Sequence, residues 1–265
     1  MHAFEYHRPT SLKDAVALAE KKTEGRYLAG GQSLVQAMKL RLSSPTDLVD
    51  LNAIGDLKAL KADASGVTIG AMVRHAEVEA SSAVKKAIPA LAALAGIIGD
   101  RQVRHMGTLG GSIANNDPAA DYPAVVLGLG ATITTNKRKI EADQFFKGLY
   151  ETALAPGELI TSVTFPVPKR AAYMKFKNPA SRFAIVGVFV ADFGGKVRVA
   201  VTGAGPSVFR QAEMEKALSA KFAPESVANI KVKQDGLNND MHASPEYRAH
   251  LVTVMAKRAV QKALE

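Results

Sequence analysis

The sequence predicts an α+β protein made of two packed domains. Three observations carry that expectation. The 265 residues are long for one compact domain and suit two. The first fifty alternate strand and helix signals in a β-α-β-α-β order. Beyond Pro166-Val167-Pro168-Lys169-Arg170, whose two prolines deny a continuing strand its donors, short strands separated by tight turns replace that alternation. The boundary is placed there, with one domain over residues 1–167, in lobes of about 1–55 and 56–167, and a second over 168–265.

The elements follow in order. Phe4 to Tyr6 reads as a strand. Ser11 starts a helix, with Asp14 three residues on as a capping partner, and Leu12, Ala15, Val16 and Ala19 share one face. Gly25 ends it. Arg26 to Ala29 is a strand, and a helix with Leu34, Ala37, Met38 and Leu42 on one face follows. Leu48 to Leu51 is the third strand. Leu57–Lys61 and Val67–Gly70 flank a turn at Asp63-Ala64-Ser65-Gly66. Helices are expected from about His75 to Ser81 and Ser82 to Ile98, then an irregular stretch from Gly107 to Pro118. A helix at Pro123–Leu129 and strands at Ala131–Thr135 and Glu158–Phe165 complete the first domain. The second holds strands near Ala172–Phe176, Ile185–Phe193 and Lys196–Thr202, the last two joined at Gly194-Gly195. Helices are expected near Val208–Ala220, Pro224–Ile230 and Pro245–Ala263. The second domain is therefore a small antiparallel sheet with helices.

Composition excludes several functions. The chain contains no cysteine, so it forms no disulfide and holds no thiolate zinc site, no iron–sulfur cluster and no cysteine nucleophile. Its six histidines show no metal-ligand spacing. The N-terminus lacks a basic region followed by an apolar one, and the most apolar stretch, Ala87 to Ile98, is too short to span a bilayer. A cytoplasmic location is expected. The net charge of +9 is spread in ones and twos, and aromatic residues are only 6% of the chain, which argues against nucleic acid. It suits a dianionic cofactor or acidic partner subunits.

Two glycine-bearing segments carry chemistry. Ala29-Gly30-Gly31-Gln32-Ser33 lies between a strand and a helix. Adjacent glycines permit positive φ and let backbone N–H groups approach an anion, and Ser33 is placed to cap the helix. The same pattern also serves an ordinary βα turn. No Gly-Lys-Ser/Thr follows, and the G-x-G-x-x-G spacing is absent, so neither a P-loop nor a dinucleotide-binding fingerprint of that type is present. The second segment, Met106 to Asp121, packs three glycines, two hydroxyls, two asparagines and two carboxylates into sixteen residues. Its alternative reading is a long polar surface loop, although long loops in compact domains are usually functional. One such segment in each lobe suits an extended ligand clamped between lobes, the shape of a dinucleotide.

With these residues in view, the chain resembles the FAD-binding subunit of the xanthine dehydrogenase and carbon monoxide dehydrogenase group of molybdenum hydroxylases. Tyr6-His7-Arg8-Pro9-Thr10-Ser11-Leu12, Ala29 to Leu34, Arg104 to Ser112, Pro156-Gly157-Glu158-Leu159-Ile160, Phe176-Lys177 and Thr202-Gly203-Ala204-Gly205-Pro206 carry the resemblance along the whole chain. It implies a two-lobed flavin domain of the vanillyl-alcohol oxidase (PCMH) type followed by a smaller C-terminal domain. It implies that Leu28, Ala29, Gly30, Gly31, Gln32, Ser33 and Leu34 wrap the FAD pyrophosphate, with Thr108, Leu109, Gly110, Gly111 and Ser112 holding it from the other lobe. Asp121 would accept a bond from a ribose hydroxyl. Ile98 and Ile160 would pack near the adenine or flavin ring, and Lys177 would lie by the pyrimidine edge. Phe183 falls where related chains often carry a tyrosine that covers the flavin. Each has a structural alternative: a helix cap for Asp121, core packing for Ile98, Ile160 and Phe183, a solvated strand lysine for Lys177.

No nucleophile or acid–base pair stands out, so the flavin is expected to do the redox chemistry while the protein positions and tunes it. The resemblance implies electron transfer from [2Fe–2S] clusters of a small subunit to FAD and on to a terminal acceptor. A large subunit would carry molybdopterin-bound molybdenum, the whole forming a dimer of heterotrimers. The alternative is a stand-alone FAD-dependent oxidase or reductase with its own substrate pocket.

Overall fold

A computed structural model of the chain describes residues 1–22, 24–64 and 66–265. The first lobe contains β1 (Glu5–His7), α1 (Leu12–Lys21), β2 (Arg26–Leu28), α2 (Leu34–Lys39) and β3 (Asp47–Asp50). The three strands are parallel in the order β1-β3-β2, the arrangement that two helical crossovers demand. Ser11 caps α1, its hydroxyl accepting from the Asp14 N–H at 3.1 Å. α2 is shorter than its apolar spacing predicts. Arg41 adopts φ 59°, the Leu42 N–H turns back to the Ala37 carbonyl, and Leu42 is 79% exposed rather than on a buried face.

The second lobe begins with β4 (Leu60–Asp63) and β5 (Gly66–Gly70). β4 starts later than expected, because residues Gly55–Lys58 form a 3-10 turn; of the turn residues, Ser65 lies outside the described residues. Six helices follow: α3 (His75–Ala80), α4 (Ser82–Ala87), α5 (Pro89–Gly96), α6 (Arg101–Met106), α7 (Leu109–Asn115) and α8 (Tyr122–Leu129). Pro89 at the start of α5 divides what the sequence reads as one helix. The lobe closes with β6 (Thr132–Thr135), β7 (Lys139–Glu141), α9 (Ala142–Phe145), the small hairpin β8 (Phe146–Gly148) and β9 (Glu151–Thr152), and β10 (Ile160–Phe165). Its antiparallel sheet has the order β4-β5-β10-β6-β7.

The C-terminal half comprises β11 (Arg170–Lys177), β12 (Ala184–Asp192), β13 (Val197–Thr202), β14 (Phe209–Arg210), α10 (Ala212–Ala220), α11 (Glu225–Ala228) and α12 (Pro245–Leu264). The helix expected from Val208 starts only at Ala212, because Phe209 and Arg210 pair with Val201 and Ala200 as an edge strand. The hairpin between β12 and β13 turns on Gly194 and Gly195, both at positive φ.

Residues 166–169 have no regular structure, yet the halves on either side are not loosely joined. Every residue of β12 is buried. Val186, Val188 and Val190 pack with α10 and α12, whereas Phe189 and Ala191 join the core of the second lobe beside α8. Successive strand side chains point to opposite faces, so one strand serves two cores. Gly128 lets α8 approach, since a Cβ there would lie 2.6 Å from the Phe189 ring. Polar bonds cross the same junction: Thr202 donates to the Ala120 carbonyl at 2.7 Å, and Arg198 donates to the Leu127 carbonyl at 2.8 Å.

Gly128→Val should therefore lower unfolding free energy by about 1–3 kcal/mol through overpacking against Phe189. A chemical-denaturation midpoint equal to that of the parent would contradict this.

Candidate functional site

The first segment is held from below. Asp50 accepts from the Tyr6 hydroxyl and from the backbone and side-chain nitrogens of Asn52, and Asn52 in turn donates to the Ala29 carbonyl at 3.1 Å. Gly31 has φ +72°, the left-handed region that disfavours a side chain. Ser33 precedes α2 without making the capping bond its position suggests. The consequence is an open run of donors. Among the described residues, the backbone N–H groups of Gly30, Gly31, Gln32, Ser33 and Leu34 meet no protein acceptor. Consecutive unpaired N–H groups in a concave turn form an anion nest.

The second segment is not the irregular loop that its glycines suggest. Asp100 caps α6, and Thr108 caps α7, its hydroxyl oxygen accepting from the Gly111 N–H at 3.1 Å. Asn116 closes α7 at φ 45°. The helix lies against the turn after β5: the Leu109 N–H donates to the Val73 carbonyl and the Gly110 N–H to the Ala71 carbonyl, at 3.1 and 2.9 Å. Leu109 is fully buried in the core. A Cβ on Gly110 would sit 2.5 Å from the Ala71 Cβ, so protein packing already requires glycine there. The groups left for a ligand are the hydroxyls of Thr108 and Ser112, beside the half-buried Gly111, whose own N–H is taken by Thr108.

The two segments meet. A Cβ on Gly30 would lie 1.9 Å from the Met106 carbonyl oxygen, and the Cβ position of Gly111 is 3.5 Å from Ala29. His75 supports the junction from within. Its N–H donates to the Gly107 carbonyl, and its ring leaves no room for a side chain at Gly107. Burial, aided by the Arg104 charge, depresses the His75 imidazole to about 4 from 6.5.

Asp121 occupies a second cluster. Its side chain makes no helix-capping bond. It accepts instead from the Tyr173 hydroxyl at 2.6 Å and the Lys175 ammonium at 3.0 Å, and all three side chains are enclosed. Burial raises the Asp121 carboxyl above the usual carboxylate range, with Lys175 and Tyr173 opposing that rise. Both oxygens are thus engaged by the protein, which leaves only their remaining lone pairs for a ribose hydroxyl. Lys177, the lysine singled out from sequence, is exposed at the end of β11, while Lys175 is the enclosed one. Strand alternation puts the two on one face, so it does not tell them apart. Ile160 is buried in the second-lobe core, and Ile98 packs half-buried against it. Phe183 is 49% exposed and is not a core residue. Beside it opens a cavity of about 270 Å³, lined also by Asn178, His242 and Arg248; it reaches Asp117, Pro118 and Ala119 at the end of the second segment but not the first segment.

Residues 2–168 match the family described as the FAD binding domain in molybdopterin dehydrogenase, and residues 171–263 match the CO dehydrogenase flavoprotein C-terminal domain. The chain belongs to the FAD-binding medium subunits of the molybdenum hydroxylases. Along 98% of its length this medium subunit is 36% identical to the carbon monoxide dehydrogenase medium chain of Afipia carboxidovorans, of which 96% is covered. It is 35% identical to the glyceraldehyde dehydrogenase medium chain of Sulfolobus acidocaldarius, over 98% of each chain. A solved structure of reconstituted CO dehydrogenase from Oligotropha carboxidovorans superposes with a TM-score of 0.91 at 34% identity, covering 99% of this chain and 98% of that one. The α+β architecture and the FAD-binding oxidoreductase role expected of the sequence are those of this family.

FAD fits the residues present: a dianionic pyrophosphate needs clustered donors, and five unpaired N–H groups stand beside a junction that only glycine permits. Gly110→Val should destabilise the FAD-free chain itself, seen as a lower thermal midpoint; an unshifted midpoint would refute the Ala71 packing argument. The His75 ring, neutral when folded, contributes stability that is complete above pH 6.5 and is lost as pH falls toward about 4. The urea midpoint should fall across that window in the parent and stay flatter in His75→Phe. Parallel slopes would exclude His75 as the titrating group.

Proposed function

We propose that this subunit carries electrons from [2Fe–2S] clusters of a small partner subunit, through FAD held between its two glycine segments, to a terminal acceptor. The open run of N–H groups from Gly30 to Leu34, closed over by the Met106–Ser112 segment, is the observation that supports it. In this reading Leu28 to Leu34 wrap the pyrophosphate, and the Thr108 and Ser112 hydroxyls complete the donor set from the other lobe, with Gly111 leaving room beside them. Leu109 and Gly110 act by seating α7. Residues 1–167 form the flavin domain and 168–265 the C-terminal domain. Phe183 presents an aromatic face to the flavin ring, and Ile98 packs nearby. Lys177 lies by the pyrimidine edge of the ring in this reading, and Lys175 is the lysine that holds Asp121.

FAD, when bound, accepts electrons and delivers them in pairs or singly, chemistry that no side chain of this protein supplies. The chain's own contribution is to neutralise the pyrophosphate, hold the two lobes together and limit solvent access. With no cysteine, it holds no cluster itself, so the electron donor must dock from another chain. Substrate oxidation would occur on a large molybdenum-bearing subunit, the complex being a dimer of heterotrimers. Among the described residues no helix is long and apolar enough to cross a membrane, and we place the complex in the cytoplasm.

Co-expression with the neighbouring subunits tests the proposal. Stoichiometric FAD in this chain is expected, together with co-purifying iron and molybdenum and bleaching of the flavin absorption when the complex meets its substrate. Full substrate turnover by the isolated FAD-loaded chain would favour the stand-alone oxidase reading instead. Gly31→Ala, which strains a left-handed backbone by about 1–2 kcal/mol, should lower FAD retention; an unaltered FAD-to-protein ratio would exclude this turn from the site.

A further inference from the structure

Lys175 is enclosed, with a side chain only 3% exposed. Three donors of one ammonium find three acceptors: the Asp121 carboxylate at 3.0 Å, the Ile97 carbonyl at 2.9 Å and the Arg182 carbonyl at 3.0 Å. Asp121 and Ile97 belong to the second lobe. Arg182 belongs to the connection between β11 and β12, in the C-terminal half. The buried Lys175 charge therefore joins that connection to the flavin-binding lobe, beside a longer, exposed bond from the Arg182 guanidinium to the Gly99 carbonyl at 3.4 Å. Its anchor is itself fixed from the other side by Tyr173, whose hydroxyl reaches Asp121 because Gly187 has no Cβ, which would lie 2.1 Å from that oxygen.

The connection from Asn178 to Phe183 is closely organised. The Asn178 side-chain oxygen accepts from the N–H groups of Ala180 and Ser181, at 2.9 and 3.1 Å. The Arg182 N–H donates to the Asn178 carbonyl, and the Asn178 N–H donates to the Phe183 carbonyl. Arg182 sits at φ 64°, left-handed backbone that a non-glycine residue holds only when its surroundings enforce it. The carbonyl of that residue is the one Lys175 grips. Immediately after it, the Phe183 ring stands 49% exposed. A strained residue clamped by a buried cation, followed at once by an exposed aromatic ring, is a device for holding the ring in a set place.

We propose that Lys175 is a positioning residue: by holding the Arg182 carbonyl against Asp121 and Ile97 it fixes the 178–183 connection, and with it the Phe183 ring, to the second lobe. Its consequence for reactivity rests on the flavin reading above. Phe183 covers one face of the ring system, and the stiffness of its support sets how readily an oxidant reaches that face.

The full chain contains no tryptophan, so Phe183→Trp introduces a single fluorescent reporter at this position. In the FAD-free chain, the introduced indole should show anisotropy close to that of overall tumbling and slow quenching by acrylamide. Adding Lys175→Met should raise the quenching rate constant roughly threefold, as for a ring freed to move on the nanosecond scale. Because that change strands the Asp121 charge, the same measurement is made with Lys175→Met and Asp121→Asn together, and a similar rise is expected. Asp121→Asn without the lysine change keeps both carbonyl bonds and should leave the reporter as it is in Phe183→Trp alone. A reporter unchanged by loss of Lys175, or already as mobile as free indole while Lys175 is present, overturns the proposal. FAD content is read by visible absorption on the parent chain and on the Phe183→Trp variants before the cofactor is removed. A chain that binds no FAD with Phe183 in place, while the reporter still responds to Lys175, would sink the flavin reading and leave the positioning role standing.

Discussion

The site depends on a contact between backbones. At Gly30 the first lobe comes so close to the Met106 carbonyl that no side chain can stand between them. That approach brings the free N–H run of one lobe against the capped helix of the other, and it explains why glycines recur in both segments for different reasons. Gly31 answers a left-handed backbone, Gly107 the ring of His75, Gly110 the wall formed by Ala71. Of the two segments, it is the Gly30–Leu34 run that leaves consecutive donors free for a ligand. A motif that looks uniform in sequence thus divides into residues that build the junction and residues that face the cofactor.

Much of the architecture is legible in the sequence because its signals are local. The Ser11–Asp14 cap, the Gly194-Gly195 hairpin and the alternating opening are each set within a few residues. Where sequence and structure part, longer-range packing decides. Glycine's poor helix propensity hides α7, yet Thr108 caps it and the carbonyls of Ala71 and Val73 hold its first turn. Leu42 looks like a core residue by spacing alone, but Arg41 ends α2 before the next turn can form. The identity of the enclosed lysine is equally hidden. Asp121 lies 54 residues from Lys175, and nothing in the local pattern around Lys175 and Lys177 announces which of them meets it.

The cluster around Asp121 shows the physical cost of such a site. An ion pair taken out of water stabilises only when its remaining donors and acceptors are satisfied. Here the Tyr173 hydroxyl and two main-chain carbonyls complete the set. The arrangement joins three separate stretches of chain at one point, so its value lies in geometric specification more than in net stability.

β12 has a further consequence. Because its alternate side chains supply both the C-terminal core and the core beneath α8, the hydrophobic interiors of the two halves meet along one strand. A boundary that is clean in sequence at residues 166–169 is therefore no seam in the folded molecule. Exchanging one half for another would leave Phe189 and Ala191 facing a surface not shaped to meet them, so a graft at residues 166–169 would have to carry the α8 surface with it.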